Sequence, residues 1–277
     1  MQGKLEKSAK FKEKPDFYEG VLNMDEFVRS YDLHCYYPSS DMAPFVEHYF
    51  ISRRRLDYDP NYTGEDILSQ PVATLFFTPL GAFAQGPTTR TRRLVAKVTP
   101  MYAGAQFRPG GFQPFLGLEM RTLAEQTLPA VEIFTNADDI FNKKILALSN
   151  QPLLETIERL LRKQNPQPHP HLQLVEKIIL YIEASATNAT VASVSKHFGM
   201  SERSLQHLFQ IYVGVGAKWT IMRARFLEVI RFARAQEKLD WTEVANRFGY
   251  SDQAHFNHDF KKLIGMTPGQ YEKSLRD

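Results

Sequence analysis

Hydrophobic and polar positions divide the chain into a strand-like first part and a helical last part. Between residues 31 and 128 the apolar residues fall in short runs, such as VATLFFTPLGAF and RTRRLVAKV, which glycine or proline bounds. Short runs rich in β-branched and aromatic residues are typical of strands, and no helical pattern separates them, which favours an antiparallel sheet or a small barrel. Apolar residues three and four apart then predict two amphipathic helices, over 137–148 and 152–163.

Residues 165–171, with the sequence NPQPHPH, interrupt this pattern. Their three prolines alternate with polar residues, which favours an extended, semi-rigid spacer. After it, the helical spacing of apolar residues continues and includes a long helix over about 217–235. The pattern therefore predicts a basic, disordered tail over 1–30, a β-rich domain with two trailing helices over 31–164, the linker over 165–171 and a helical domain over 172–277.

The stretch 248–271, FGYSDQAHFNHDFKKLIGMTPGQY, carries the most specific pattern in the helical part. Gly249 ends a short helix, and Ser251 and Asp252 are suited to cap the next one because their side-chain oxygens accept from its first amides. One face of that next helix is apolar, and the other is rich in amides and imidazoles. A helix, a glycine turn and a second helix with such a face predict a DNA-reading helix-turn-helix.

An earlier copy of this stretch makes the prediction more specific. VSKHFGMS, from Val194, aligns with VANRFGYS, from Val244, and one added residue around Asp252 shifts the remainder of the alignment. The valine, the Phe-Gly pair, the serine and a final glycine recur where a helix-turn-helix needs core, turn, cap and stop. The connecting helix of about 18 residues spans about 27 Å. The two outer faces are therefore predicted to enter successive major grooves, since one turn of DNA is about 34 Å long.

Composition adds further limits. The net charge of +3 comes from 34 basic and 31 acidic residues, and its excess lies wholly from Pro166 onward, with 14 basic and 11 acidic residues. The single cysteine, Cys35, excludes an internal disulfide and is typical of a reducing cytoplasm. No apolar run approaches the roughly 18 residues needed to cross a membrane. A cytoplasmic protein with no membrane partner is therefore expected.

Three motifs, FGMSERSLQHLF, WTIMRARFLEVIRFA and GYSDQAHFNHDFKKLIGMTPGQY, carry a resemblance to a known family. Over about 172–276 the chain resembles the DNA-binding domain of AraC/XylS-type bacterial transcription regulators. APFVEHYF and AGAQFRPGGFQPFLG resemble a subset of them with a little-characterised N-terminal domain. The resemblance implies an α+β protein: a β-rich, barrel-like and cupin-like N-terminal domain with trailing helices, then two helix-turn-helix motifs joined by a long helix.

The chain departs from the family at two positions of the first motif. Ser195 stands where alanine is usual, and its hydroxyl is expected to bond back to the helix and soften the motif. Gly216-Ala217 stands where Ser-Pro often begins the long helix, so a cap and a preset φ are lost. The C-terminal motif is therefore expected to be the more rigid half.

The resemblance assigns DNA contacts to the helices near 202–212 and 253–263. The base-reading residues are Arg203, Gln206, His207, Gln253, Asn257 and His258. The residues assigned to the DNA backbone are Gln210, Lys218, Arg223, Arg225, His255, Lys261 and Lys262. A structural role, bonding carbonyls between the two halves, is an alternative for Arg225.

Other candidate chemistry is sparse. His255 and His258 lie three apart, but no further ligand stands at zinc-like spacing, so neither a metal nor a cofactor is predicted. Arg108, beside the Pro-Gly-Gly turn, is the candidate effector-binding residue because its guanidinium suits a carboxylate or phosphate. An internal ion pair, or bonds to turn carbonyls, would explain Arg108 equally well.

These observations predict a sequence-specific transcription regulator that is not an enzyme. Its predicted partner is double-stranded DNA, and RNA polymerase, a small-molecule effector and a second copy of the chain are further candidates. The alternative is an enzyme whose barrel domain carries catalysis and whose helical domain recruits it to DNA. That alternative needs a reactive cysteine or a carboxylate/histidine cluster, and Cys35 in a strand has no visible activating group.

Overall fold

A computed structural model describes residues 20–22, 24–55, 57, 62, 64–95, 100–236 and 238–275. Within these residues, eight strands come before most of the helices. The strands are β1 (Tyr31–Tyr36), β2 (Val46–Arg54), β3 (Gly64–Ile67), β4 (Thr74–Thr78), β5 (Gly81–Gln85), β6 (Arg92–Val95), β7 (Met101–Phe107) and β8 (Thr127–Pro129). The helices are α1 (Met24–Ser30), α2 (Gln113–Leu116), α3 (Asp139–Leu146), α4 (Asn150–Arg162), α5 (Pro170–Ala184), α6 (Val191–His197), α7 (Glu202–Tyr212), α8 (Ala217–Arg234), α9 (Trp241–Arg247), α10 (Gln253–Ile264) and α11 (Pro268–Ser274). This order confirms the predicted α+β class.

The strands form two antiparallel sheets. Six of them pair in the order β1-β2-β7-β4-β5-β8, and β3 pairs with β6. Successive side chains of a strand point to opposite faces, so the large sheet has two separate apolar surfaces. Tyr49 and Phe77 lie in a core shared with the helices, whereas Phe50 and Tyr102 belong to a second cluster on the opposite face.

Residues 20–30 correct the predicted extent of the tail. Residues 20–22 and 24–30 belong to the folded domain: Val21 is buried and bridges to Ile67, and Phe27, in α1, is buried and stacks on Tyr31 with ring centroids 5.4 Å apart. The first 19 residues of that predicted tail lie outside the described residues. The prediction was wrong for 20–22 and 24–30 because a seven-residue helix gives too short a pattern to stand out after a lysine-rich run.

The core continues across the predicted linker. Leu172 of α5 and Phe209 of α7 lie in the same buried cluster as Phe45 of the β-rich domain. Gly110, in the Pro-Gly-Gly turn, has a φ of 79°, and a Cβ added to it would lie 3.3 Å from Leu172 Cδ2. The backbone of this turn therefore packs closely against the helical domain. Within 165–171, Pro170 is already helical and begins α5.

Candidate nucleic-acid interface

The two helix-turn-helix turns share the same backbone hydrogen bonds. In the first turn Phe198 N donates to Val194 O, Gly199 N to Lys196 O and Met200 N to Ser195 O. In the second, Phe248 N donates to Val244 O, Gly249 N to Asn246 O and Tyr250 N to Ala245 O. Gly199 and Gly249 both have positive φ, 63° and 80°, which glycine adopts without a steric penalty. The sequence repeat is therefore a structural repeat at the level of single bonds.

Side-chain caps begin both outer helices. Ser201 Oγ accepts from Ser204 N at 3.0 Å at the start of α7. Asp252 accepts from Ala254 N at 2.9 Å and from His255 N at 3.3 Å at the start of α10. The capping role expected of Asp252 is thus present, and each helix has a defined first turn from which its outer face is presented.

The six predicted base-reading residues all lie on exposed faces. Those faces carry Arg203, Gln206 and His207 on α7, and Gln253, Asn257 and His258 on α10. The opposite faces anchor the helices, because Leu205, Phe209, Phe256 and Phe260 are all fully buried. In the repeat Gln206 is equivalent to Asn257 and His207 to His258. Two equivalent, outward-facing sets of amide and imidazole groups result.

Five of the predicted DNA-backbone residues remain accessible on or beside the same helices. Lys218, at the start of α8, and Lys261 and Lys262, in α10, are exposed, and Gln210 is half-buried. His255 is exposed, and its Nε2 lies 3.3 Å from a carboxylate oxygen of Asp259. The lysines present positive charge near the two outer faces, where a polyanion would approach.

Arg223 and Arg225 correct the predicted set of backbone contacts. Arg223 is only 5% exposed, and its Nε donates to Ser69 O at 2.6 Å. Arg225 donates to Ala186 O at 3.4 Å and to Ala189 O at 3.1 Å. Arg225 therefore has the structural role that was its alternative, bonding main-chain carbonyls. Arg223 joins α8 to the β-rich domain.

The position of Arg223 along α8 indicates that its side chain is buried. Thr220, Leu227 and Ile230, spaced three, four and seven residues from it, are all buried. Residues with this spacing share one face of a helix, so Arg223 belongs to the buried stripe. A helical projection of α8 would have predicted a buried guanidinium rather than a phosphate contact.

Two family models match the chain. One, described as a helix-turn-helix domain and of AraC type, matches residues 194–274. Residues 194–274 therefore form a helix-turn-helix domain of AraC type. The other model, described as a domain of unknown function (DUF6597), matches residues 34–129 and so covers most of the β-rich domain.

Proteins similar to this chain include transcription regulators. A probable thc operon regulatory protein from Rhodococcus erythropolis is 33% identical over 128 residues, which are 43% of this chain and 37% of that protein. The probable transcriptional regulator LumQ from Photobacterium leiognathi is 24% identical over 194 residues, 68% of this chain and 74% of that protein. The match to the crystal structure of ToxT from Vibrio cholerae O395 covers 73% of this chain and 85% of the ToxT chain, with a TM-score of 0.36 and 11% sequence identity.

The AraC-type domain departs from expectation at Ser195. Its side chain is buried, and its Oγ has no hydrogen-bond partner among the described residues, so the expected bond back to the helix is absent. Gly216, as expected, caps α8 without any side-chain hydrogen bond. A buried hydroxyl without a partner destabilises the first motif.

Ser195→Ala is expected to raise the free energy of unfolding by about 1 kcal/mol, because it removes an unsatisfied buried hydroxyl and improves helix propensity. Chemical denaturation of the full chain measures this change. Ser193→Ala is the matched control with the opposite sign, since Ser193 Oγ accepts from Thr190 N at 2.9 Å in a capping box. A Ser195→Ala variant less stable than the parent would contradict the assignment.

Arg108 is engaged within the protein and is not an open effector site. Its Nη1 forms ion pairs with Glu47, at 3.0 Å, and with Glu176 of α5, and its Nε donates to Ala43 O at 2.8 Å. Arg108 therefore has the structural role that was the alternative to effector binding: it forms internal ion pairs and donates to a main-chain carbonyl. Since Glu176 lies in the helical domain, Arg108 joins that domain to the β-rich one.

Cys35 lies half-buried in β1, and burial raises the pKa of its thiol to about 12. Only the thiolate is nucleophilic, so a raised pKa lowers reactivity at every pH below it. At pH 8 alkylation by iodoacetamide is expected to be at least about 100-fold slower in the native chain than in the urea-unfolded chain. Equal rates, followed by mass spectrometry, would contradict this assignment and reopen a nucleophilic role.

Neither a metal cluster nor a membrane span is found in the described residues. No group of three or more His, Cys, Asp or Glu side chains there could hold a metal ion. None of the helices in the same ranges is long and apolar enough to cross a bilayer.

Contacts that the sequence pattern does not reveal fix the AraC-type domain to the β-rich domain. Thr91 Oγ1 donates to Leu263 O at 2.6 Å, in the last turn of α10. Arg234, at the end of α8, donates to Val21 O at 2.7 Å and to Leu22 O at 3.0 Å. These partners are main-chain carbonyls far away in sequence, so no local pattern could have indicated them.

Proposed function

We propose that the protein is a sequence-specific transcription regulator that reads two adjacent major-groove segments with α7 and α10. The observation that carries this proposal is the repeated turn: both copies have the same hydrogen bonds and present exposed polar faces. The 18-residue α8 between them would span about 27 Å, close to the rise of one DNA turn, about 34 Å. A single chain would then cover about two turns of DNA.

The exposed side chains are suited to different bases. The guanidinium of Arg203 matches the two acceptors on the major-groove edge of guanine. Gln206 and Asn257, at equivalent positions, match the donor and acceptor of adenine, as does Gln253. His207 and His258 lie beside the amides and have a shorter reach.

The basic side chains around these faces fix the register on the DNA backbone. Lys218, Lys261 and Lys262 bind phosphates as mobile point charges, and Gln210 and His255 supply polar contacts at the edge of the same faces. Such contacts contribute affinity without sequence preference and make binding sensitive to salt.

Lys262→Ala is expected to weaken binding to all DNA sequences alike and to reduce the slope of log affinity against log salt by about 1. Titration at several salt concentrations measures this slope on a specific and on a scrambled duplex. Lys143→Ala, on the exposed surface of α3 in the other domain, is the matched control and should leave both curves unchanged. A Lys262→Ala effect confined to one sequence would contradict the phosphate assignment.

Selection from a random duplex library by the full chain, followed by gel-shift titration, tests the proposal. The full chain is required because the first motif shares its core with the β-rich domain. We expect a bipartite motif with two conserved segments about one helical turn apart. Enrichment of no sequence, or affinity that does not change with salt, would overturn the proposal.

The β-rich domain supplies regulation in this account. It either binds a small-molecule effector or mediates dimerisation, and RNA polymerase is the partner through which bound regulator changes transcription. These events would take place in the cytoplasm. The catalytic alternative is not favoured, because the thiol of Cys35 has a raised pKa and the similar proteins are regulators.

A further inference from the structure

A cavity of about 410 Å³ lies against the face of the large sheet that carries Phe50 and Tyr102. Phe50, Phe76 and Tyr102 line it from the sheet, and Leu68 and Gln70 line it from the segment that follows β3. Its volume falls within the range of small-molecule sites. Aromatic rings and aliphatic side chains form most of the wall, so an occupant must be mainly apolar.

Arg92, in β6, is the arginine of the described cavity lining that forms no ion pair with a described carboxylate, although the charge of Glu125 acts on it from farther away. Its guanidinium donates to Gly86 O at 2.6 Å, and among the described side chains no carboxylate lies within 4 Å of it. Arg93, which also borders the cavity, pairs with Asp66 at 3.1 Å. Burial lowers the pKa of Arg92 to about 10, so it remains charged at neutral pH.

The charge of the wall selects the class of occupant. The described lining contains two arginines and neither aspartate nor glutamate, so a cationic ligand would meet only like charge. One planar guanidinium matches a single carboxylate with two parallel hydrogen bonds. A dianionic phosphate ester would leave charge uncompensated among the rings. The amides of Gln70 and Gln106, hydrogen-bonded to each other at 3.2 Å, supply further neutral polar groups at the wall.

The wall of the cavity is also the surface that holds the DNA-reading domain. Leu68 lines the cavity and lies in the same core cluster as Phe226 of α8 and Phe260 of α10. Ser69 O accepts from buried Arg223 of α8, and Ser69 Oγ donates to Arg90 O at 2.6 Å.

The segment that leads into β6 makes a second connection. Thr91, immediately before Arg92, donates to Leu263 O in α10. A ligand that engages Arg92 therefore acts one residue away from a contact with the second reading helix. Two wall segments, 68–70 and 90–92, thus join the cavity to α8 and α10.

We propose that this cavity binds a monocarboxylate with a compact apolar, partly aromatic body, and that its occupancy changes DNA affinity through segments 68–70 and 90–92. The carboxylate pairs with Arg92, and the body packs on Phe50, Phe76 and Tyr102. The binding site stands on the cavity alone, whereas the regulatory effect rests on the proposed function.

Calorimetry on the full chain without DNA tests the site, with phenylbutanoate and its shorter and longer homologues as probes, beside the matching amides and ammonium compounds. We expect an acid of this series to bind and the equivalent amide and ammonium compounds to bind at least about 10-fold more weakly. Arg92→Gln should weaken acid binding by about 10- to 100-fold. Arg121→Gln, at an exposed ion pair with Glu119, is the matched control and should leave binding unchanged.

Thr74→Phe provides a second variant, because it fills the cavity from β4 while Arg92 is retained. It should abolish acid binding while thermal unfolding remains cooperative. Tighter binding of the amide or ammonium compound, or unchanged acid binding in Arg92→Gln and Thr74→Phe, would overturn the ligand assignment. Failure of every acid to bind the parent chain would overturn the site.

Gel-shift titration with saturating acid tests the regulatory effect. DNA affinity should change by about fivefold or more, and by linkage DNA should change acid affinity by the same factor. Thr91→Val, which removes the bond to Leu263 O, should reduce this factor while acid binding stays within about threefold. Acid binding with unchanged DNA affinity would overturn the regulatory effect alone. Absence of any sequence-specific DNA binding would instead overturn the proposed function, and the calorimetry would still stand.

Discussion

Replacing Phe260 by alanine is expected to lower the free energy of unfolding by about 3 to 5 kcal/mol. Phe260 is fully buried in α10, and its ring lies 5.5 Å from that of Trp241 and 5.7 Å from that of Phe226. Removing it leaves a cavity between α8, α9 and α10, which loses both apolar burial and dispersion contacts. The second reading helix then loses its anchor, so the DNA segment that it contacts should lose protection first.

Denaturant unfolding of the full chain and footprinting on the selected site measure the two effects. Leu180→Ala, on an α5 surface position that is 58% exposed, is the matched control and should change stability by less than about 0.5 kcal/mol. Phe209→Ala, at the equivalent position of the first motif, should be as destabilising and should affect the other half of the footprint. Equal loss of protection in both halves for Phe260→Ala would contradict two separately anchored reading helices.

Arg203→Ala and Gln253→Ala are expected to relax sequence preference in different halves of the DNA site. Each removes one bidentate base contact, which costs about 1 to 3 kcal/mol, or about 5- to 150-fold in affinity for the preferred base. Competition by duplexes with single substitutions locates the relaxed position for each variant. Discrimination should disappear at that position and persist elsewhere, in contrast to the uniform weakening expected for Lys262→Ala.

The double variant provides the control for independence. Residues on separate helices without a shared partner have additive effects, so its loss should equal the sum of the two single losses within about 0.5 kcal/mol. Relaxation at the same base by both variants would contradict separate reading helices. A preference unchanged in both variants would remove these residues from the base-reading set.

The C-terminal half of the fold followed from local chemistry. Gly199 and Gly249 occupy turns that require positive φ, and the structure confirms both. The cap at Asp252 and the proline start of α11 also depend only on neighbouring residues. The same interactions between neighbouring residues occur in both copies of the repeat. The sequence of each motif therefore supported the prediction of the other.

What could not be predicted depends on contacts between distant segments. Arg223 was predicted to contact a phosphate, but its Nε donates to Ser69 O, 154 residues away in the sequence. Arg108 kept an open role because Glu176 lies beyond the linker. The cavity could not be predicted either. Thr74, Phe76 and Thr78 form a face of β4 with both polar and apolar side chains, and a strand pattern does not distinguish a solvent-facing from a cavity-facing surface.

The length of DNA protected by a single chain tests the central claim most directly. The full chain is titrated onto its selected duplex, the stoichiometry is measured by analytical ultracentrifugation, and the protected length is read by footprinting. We predict one chain per site with about 20 base pairs protected in two segments, because both reading helices belong to the same chain. Protection of about 10 base pairs by one chain, or a second segment that appears only when a second chain binds, would contradict the account.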